Sequence, residues 1–105
     1  MSMFTRELII AVKLKCYIPI EENEPETIDR LNNLMQDAQI EVSHIIGLPS
    51  DYDFSQAGPA RALFLNYMWY SWNDAQNEFE DNYLSDISKC RDYYSVNGAG
   101  DDNEK

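Results

Sequence analysis

The sequence predicts an all-α protein, a small bundle of three to four helices, and three observations predict it. Apolar residues recur at helical spacing over most of the chain. Glycine and proline pairs (Gly47 with Pro49, Gly58 with Pro59) punctuate these runs instead of interrupting them. The 105 residues fall short of one average domain, so a single core is expected. Residues 1–96 are read as one domain and 97–105 as a flexible acidic tail.

Leu8, Ile9, Val12 and Cys16 make a short amphipathic stretch that fits a helix or a strand and ends by Pro19. Glu21, Glu22, Glu24 and Glu26 follow in a stretch holding Pro19 and Pro25, which is loop chemistry. The next element is the clearest. Ile28, Leu31, Met35, Ala38, Val42 and Ile45 form one helical stripe, with Asp29, Asn33, Asp37 and Glu41 on the other side. Pro25 suits its first turn, and Gly47 then Pro49 suit its end.

Ser50 to Gly58 reads as a polar loop with Tyr52 and Phe54 as aromatic anchors. Pro59 opens a third helix whose main stripe is Ala60, Leu63, Phe64, Tyr67, Met68, Trp72, Ala75 and Phe79. A last helix runs from about Tyr83 to Tyr94, carrying Leu84, Ile87, Cys90 and Tyr94. Asp81-Asn82 either separates these two helices or bends one long one.

Charge narrows the function. Lys plus Arg number 8 against 19 Asp plus Glu, a net charge of −11. Such a surface cannot displace phosphate counterions, so a nucleic-acid binder or an anionic-membrane binder is disfavoured. The apolar run Leu8–Val12 stops at Lys13, far below the roughly 20 residues of a spanning helix, and lacks the features of a secretory signal. Cys16 and Cys90 are isolated and are read as reduced cytosolic thiols, a single bridge between them being the alternative.

Catalytic signals are weak. His44 is the lone histidine and no nucleophile motif accompanies it. Asp51 and Asp53 lack the other ligands and the glycine of an EF-hand loop, and no phosphate loop or zinc spacing occurs. The expectation is a non-enzyme without cofactor or metal.

The third helix is more informative. Between Ala60 and Trp72 only Arg61, Asn66 and Ser71 are plainly polar, and Leu65, Trp69 and Tyr70 lie off the main stripe. A helix apolar nearly all round is buried on every side or offers a face to a partner. Leu65, Trp69 and Tyr70 are the candidate subunit interface. Together they could expose roughly 400–500 Å². At about 25 cal/mol/Å², covering it gives roughly 10 kcal/mol. Association opposes this with about 4–15 kcal/mol, so pairing is weak unless another surface holds the copies together. The bland reading is that these side chains are covered by the first and last segments.

From Asn66 to Ser88 there is no Lys or Arg, while Asp74, Glu78, Glu80, Asp81 and Asp86 are acidic. A solvated face accounts for this. A surface that stays near DNA without adhering to it does so too, as does mimicry of DNA.

The order of elements resembles the small head–tail connector (adaptor) proteins of tailed bacteriophages. The likeness covers most of residues 8–94. It rests on Ala11-Val12-Lys13-Leu14 through Ile18, then an acidic loop, then Ile28-Asp29-Arg30-Leu31 through Gln36-Asp37-Ala38 to Ile45-Ile46-Gly47. Ala60 to Tyr70 resembles the aromatic third helix, and Tyr83-Leu84-Ser85-Asp86-Ile87 to Arg91-Asp92-Tyr93-Tyr94 the closing segment. Where members often carry a basic residue after the third helix's aromatics, this chain has Asn73-Asp74.

The resemblance implies a homo-oligomeric ring, usually a dodecamer, beneath the portal protein in the virion neck. That ring extends the DNA channel without gripping DNA and docks the stopper or tail-completion protein. The subunit would be made in the host cytoplasm, with no membrane partner and no catalytic residue. On this reading Tyr93, Tyr94 and Val96 are candidate portal contacts, and Glu78, Glu80 and Asp81 candidate channel-lining residues. The alternative is a small acidic regulator that binds a protein partner, possibly as a DNA mimic.

Overall fold

The computed structural model describes residues 4–97. Its elements are α1 (Arg6–Lys15), α2 (Pro25–Ile46), α3 (Pro59–Trp72), a single 3-10 turn (Gln76–Glu78), α4 (Phe79–Asn82) and α5 (Leu84–Asn97). The all-α expectation holds. The count of three to four helices is corrected, because α4 is a separate helical turn between α3 and α5. The predicted tail begins inside α5, at Asn97, and residues 98–105 lie outside the described residues.

The helix ends explain the differences. α1 starts on Thr5, whose hydroxyl accepts the Leu8 N–H at 3.1 Å. It stops in a Schellman motif: the Ile18 N–H reaches the Lys13 carbonyl at 2.8 Å, and the Tyr17 N–H reaches the Leu14 carbonyl at 3.3 Å. Tyr17 holds the left-handed position at φ 61°. The stretch that fitted a helix or a strand is therefore helical, and it ends before Pro19.

α3 stops the same way. The Ala75 N–H bonds the Tyr70 carbonyl at 2.8 Å and the Asp74 N–H bonds the Ser71 carbonyl at 3.0 Å, with Asp74 at φ 58°. This reversal, not Asp81-Asn82, ends the third helix. Phe79 is buried as expected, but from α4 and not from the α3 stripe. α2 ends at Gly47, φ 89°, with the Leu48 N–H on the Ser43 carbonyl at 2.8 Å.

α3 lies at the centre, packed against α1, α2, α5 and the 3-10 turn. From α2 the predicted residues Leu31, Met35, Ala38, Val42 and Ile45 enter the core, Ile28 is half-buried, and Asp29, Asn33, Asp37 and Glu41 face out. The loop before α3 supplies Phe54, fully buried and stacked on Phe64 at 4.7 Å. Gln39, buried on α2, holds that loop by donating to the Ser50 and Tyr52 carbonyls at 3.0 and 2.7 Å.

Two cations stitch the bundle. Lys13 is buried and donates to the Ile20 and Glu22 carbonyls at 3.0 and 3.1 Å, fixing the turn between α1 and α2 through its backbone. The Arg91 Nε donates to the Ile45 carbonyl at 2.6 Å, closing the last turn of α2. Both cysteines are free and buried, Cys16 after α1 and Cys90 on α5.

Candidate interaction face

Leu14 and Lys15 close α1, and the Schellman turn after them carries Tyr17 outward. Asn66, Trp69 and Tyr70 face them from α3, and Tyr83 faces them from the residue before α5. Together these residues line an open groove of about 350 Å³. Leu14 is 60% exposed, Tyr17 87% and Trp69 37%. The groove floor is rooted in the core by aromatic edges. Trp69 meets Tyr70 at 5.4 Å, Tyr70 meets Phe79 at 5.8 Å, and Phe79 stacks on Tyr83 at 4.7 Å. The Asn82 amide donates to the Tyr70 hydroxyl at 3.1 Å, and burial raises the pKa of the Tyr83 hydroxyl, with Tyr70 and Asp86 adding to it.

Of the predicted interface set, Trp69 and Tyr70 meet in this groove. Leu65 does not line it and is half-buried against the core. Sequence reasoning missed Leu14 and Tyr17. Leu14 was placed only loosely with the first stripe, and nothing in the local residue types marks Tyr17 as the left-handed turn position.

The groove is not isolated. Asn66 also lines a second hollow, of about 460 Å³, with Pro59, Ala62, Leu63, Asp86, Lys89, Cys90 and Tyr93. One side of α3 therefore stays uncovered over most of its length, where the bland reading had the first and last segments covering it.

The candidate portal residues divide. Tyr93 is 48% exposed. Tyr94 is buried, with its hydroxyl accepting the Ala60 N–H at 3.1 Å. Its role in the isolated chain is to close the start of α3, which corrects its reading as an outward contact. The Val96 side chain lies outside the described residues.

Glu78, Glu80 and Asp81 are all exposed, on the 3-10 turn and α4. Glu80 draws near a different helix. The Tyr67 hydroxyl has its pKa raised by burial and further by Glu41, Asp37 and Glu80, so acids of α2 and α4 share one region. That convergence was invisible from sequence, since some forty residues separate them.

His44 is exposed and borders a hollow of about 510 Å³ with Ile46, Arg91, Tyr94 and Ser95. Arg91 and Tyr94 there are the capping groups of α2 and α3. Among the described residues no group of three or more His, Cys, Asp or Glu could hold a metal ion, and no helix is long and apolar enough to cross a membrane. Compared with family models, curated proteins and solved structures, the chain has no match in any of the three.

Proposed function

We propose that the chain is a structural subunit that assembles with copies of itself through the Leu14–Tyr17–Trp69–Tyr70 face. The carrying observation is Tyr17. An aromatic residue held at φ 61° costs roughly 1–2 kcal/mol relative to the right-handed regions, yet its ring is 87% exposed. Within the chain that strain has little packing return. A ring covered by a neighbouring subunit supplies one.

The magnitudes favour assembly on a template over tight free association. Leu14, Tyr17 and Trp69 leave on the order of 300–400 Å² of apolar surface, or about 8–10 kcal/mol when covered. That is comparable with the roughly 4–15 kcal/mol lost on association. Together with the acidic surface and the order of helices, this supports a head–tail connector that forms a ring on a portal, in the neck of a virion. DNA would pass it without adhering, and a stopper or tail protein would dock on its far side.

Sedimentation velocity of the full chain, alone and with a portal ring, tests the reading. Species larger than a monomer are expected as concentration rises into the hundreds of micromolar, and saturating rings on the portal. Trp69→Ala should abolish both while leaving the far-UV helical signal intact. A wild-type chain that stays monomeric and ignores the portal overturns the proposal. The convergence of Asp37, Glu41 and Glu80 favours a second reading, an acidic regulator imitating DNA. Competition with DNA for a basic protein would select it.

A further inference from the structure

The aromatic groove and the outer side of α2 belong to different elements and carry opposite charge. The groove walls are α1, with Arg6, Lys13 and Lys15 against Glu7, and α3, with Arg61 and no acid. α2 carries Glu26, Asp29, Asp37 and Glu41 against Arg30, and the Arg30 guanidinium is already engaged by Trp72 and Asp74. On the outer side of α2, Ile40 is 63% exposed. Asp37 and His44 lie one turn before and after it, and Glu41 lies beside it. Alone, one exposed isoleucine is ordinary. Here it is an apolar knob flanked by acids, in a molecule whose apolar hollow is rimmed by Lys15.

Resting on the self-assembly reading above, we infer that the groove's occupant is the Asp37–Ile40–Glu41 face of α2 from a second copy of this chain. Ile40 enters between Leu14, Tyr17 and Trp69, and the neighbouring carboxylates approach Lys15. Pairing groove with groove across a two-fold axis would instead place Lys15 beside its own symmetry mate, with no acid from α2 in reach. Because knob and hollow are different patches, every copy offers one of each. The contact is heterologous, and it propagates head to tail until it closes into a ring. α2 spans about 33 Å at 1.5 Å per residue, so a helix face and not only one side chain can lie along the neighbour.

Cysteine bridging tests the pairing on the full chain. Tyr17→Cys and Ile40→Cys are made singly and mixed, then treated with a short bismaleimide. Wild type is the background control, since its own cysteines are buried. The expected result is a covalent dimer in the mixture and none from either variant alone. Bridging within Tyr17→Cys alone, or within Ile40→Cys alone, overturns this pairing and leaves self-assembly standing. No bridging in a chain that still forms Trp69-dependent oligomers does the same. No bridging in a chain that is monomeric throughout overturns both.

Charge reversal gives a second readout. Lys15→Glu and Glu41→Lys should each weaken association about tenfold, and their combination in one chain should recover most of the loss. Equal, additive losses in the double variant overturn the contact.

Discussion

The Tyr94 hydroxyl accepts the Ala60 backbone N–H at 3.1 Å, so the end of α5 closes the first turn of α3 across a gap of 34 residues. Helix N-termini expose N–H groups that need acceptors, and Gly58 offers no side chain to serve. The same approach constrains Gly58. At φ 146° it adopts a conformation that suits glycine, and a Cβ there would stand 3.0 Å from the Tyr94 oxygen.

Tyr94→Phe removes that acceptor and little else. A buried N–H left unpaired costs about 1–3 kcal/mol, so urea unfolding should shift by that amount toward lower stability. Amide exchange at Ala60 should quicken. Any loss of portal binding by this variant has to be read against that change in stability, whereas Tyr93→Ala alters an exposed ring and leaves the α3 cap in place.

Arg30 ties the start of α2 to the end of α3. Its guanidinium lies 4.2 Å from the Trp72 ring centroid and donates to the Trp72 carbonyl at 2.8 Å. Asp74 is 3.8 Å away and 89% exposed, so the ion pair is a minor partner. Arg30→Ala should lower stability by about 1–2 kcal/mol, from the ring contact and the charged hydrogen bond together. Asp74→Asn should change it by less than about 0.5 kcal/mol. Arg30→Lys should recover only part of the loss, because the planar fork both stacks and donates. Denaturant midpoints of the three variants, compared at low and high salt, check the ranking.

How legible each part was follows from the kind of residue that decides it. α2 was readable throughout, because its stripe is strict and a glycine ends it. α1 and α3 end on left-handed Tyr17 and Asp74, where a glycine would have announced the turn. The last stripe therefore ran on through Ala75 to Phe79. Trp69 and Tyr70 were legible as surplus apolar residues on a helix already committed to the core. Their partners Leu14 and Tyr17 were not, since meeting them requires knowing that α1 packs on α3. Tyr94 misled for a related reason. Its polar end looks like an outward contact until the uncapped start of α3 is placed beside it.

The two thiols predict a pH dependence. Burial raises the pKa of both Cys16 and Cys90 to about 11 from an ordinary value of 9.0, so the folded chain favours the neutral thiol. Burial acts on Cys16 against Lys15 and Arg30, which lower it. An acid whose pKa rises on folding contributes stability that is full below the unfolded value. That contribution is lost as pH climbs through the folded value. Stability should therefore fall between about pH 9 and 11. Cys90→Ala should flatten part of that slope, separating it from tyrosine ionisation. At pH 8 a thiol reagent should react with neither cysteine until denaturant opens the fold.

Tyr17 sets stability against assembly. Glycine adopts φ 61° without the Cβ penalty, so Tyr17→Gly should relieve roughly 1 kcal/mol of backbone strain. Little packing is lost in return, because the ring is mostly in water. The greater freedom of glycine in the unfolded chain takes back part of the gain. The net expectation is a monomer as stable as wild type or slightly more so. The same change removes the largest exposed ring of the groove, and association of the full chain should weaken at least tenfold by sedimentation. Asp74→Gly relieves the same strain at the end of α3 without touching the groove, and it should leave association unchanged. If Tyr17→Gly destabilised the monomer by more than about 1 kcal/mol, the ring would be packing within its own chain. The case for a neighbour's surface there would then be lost.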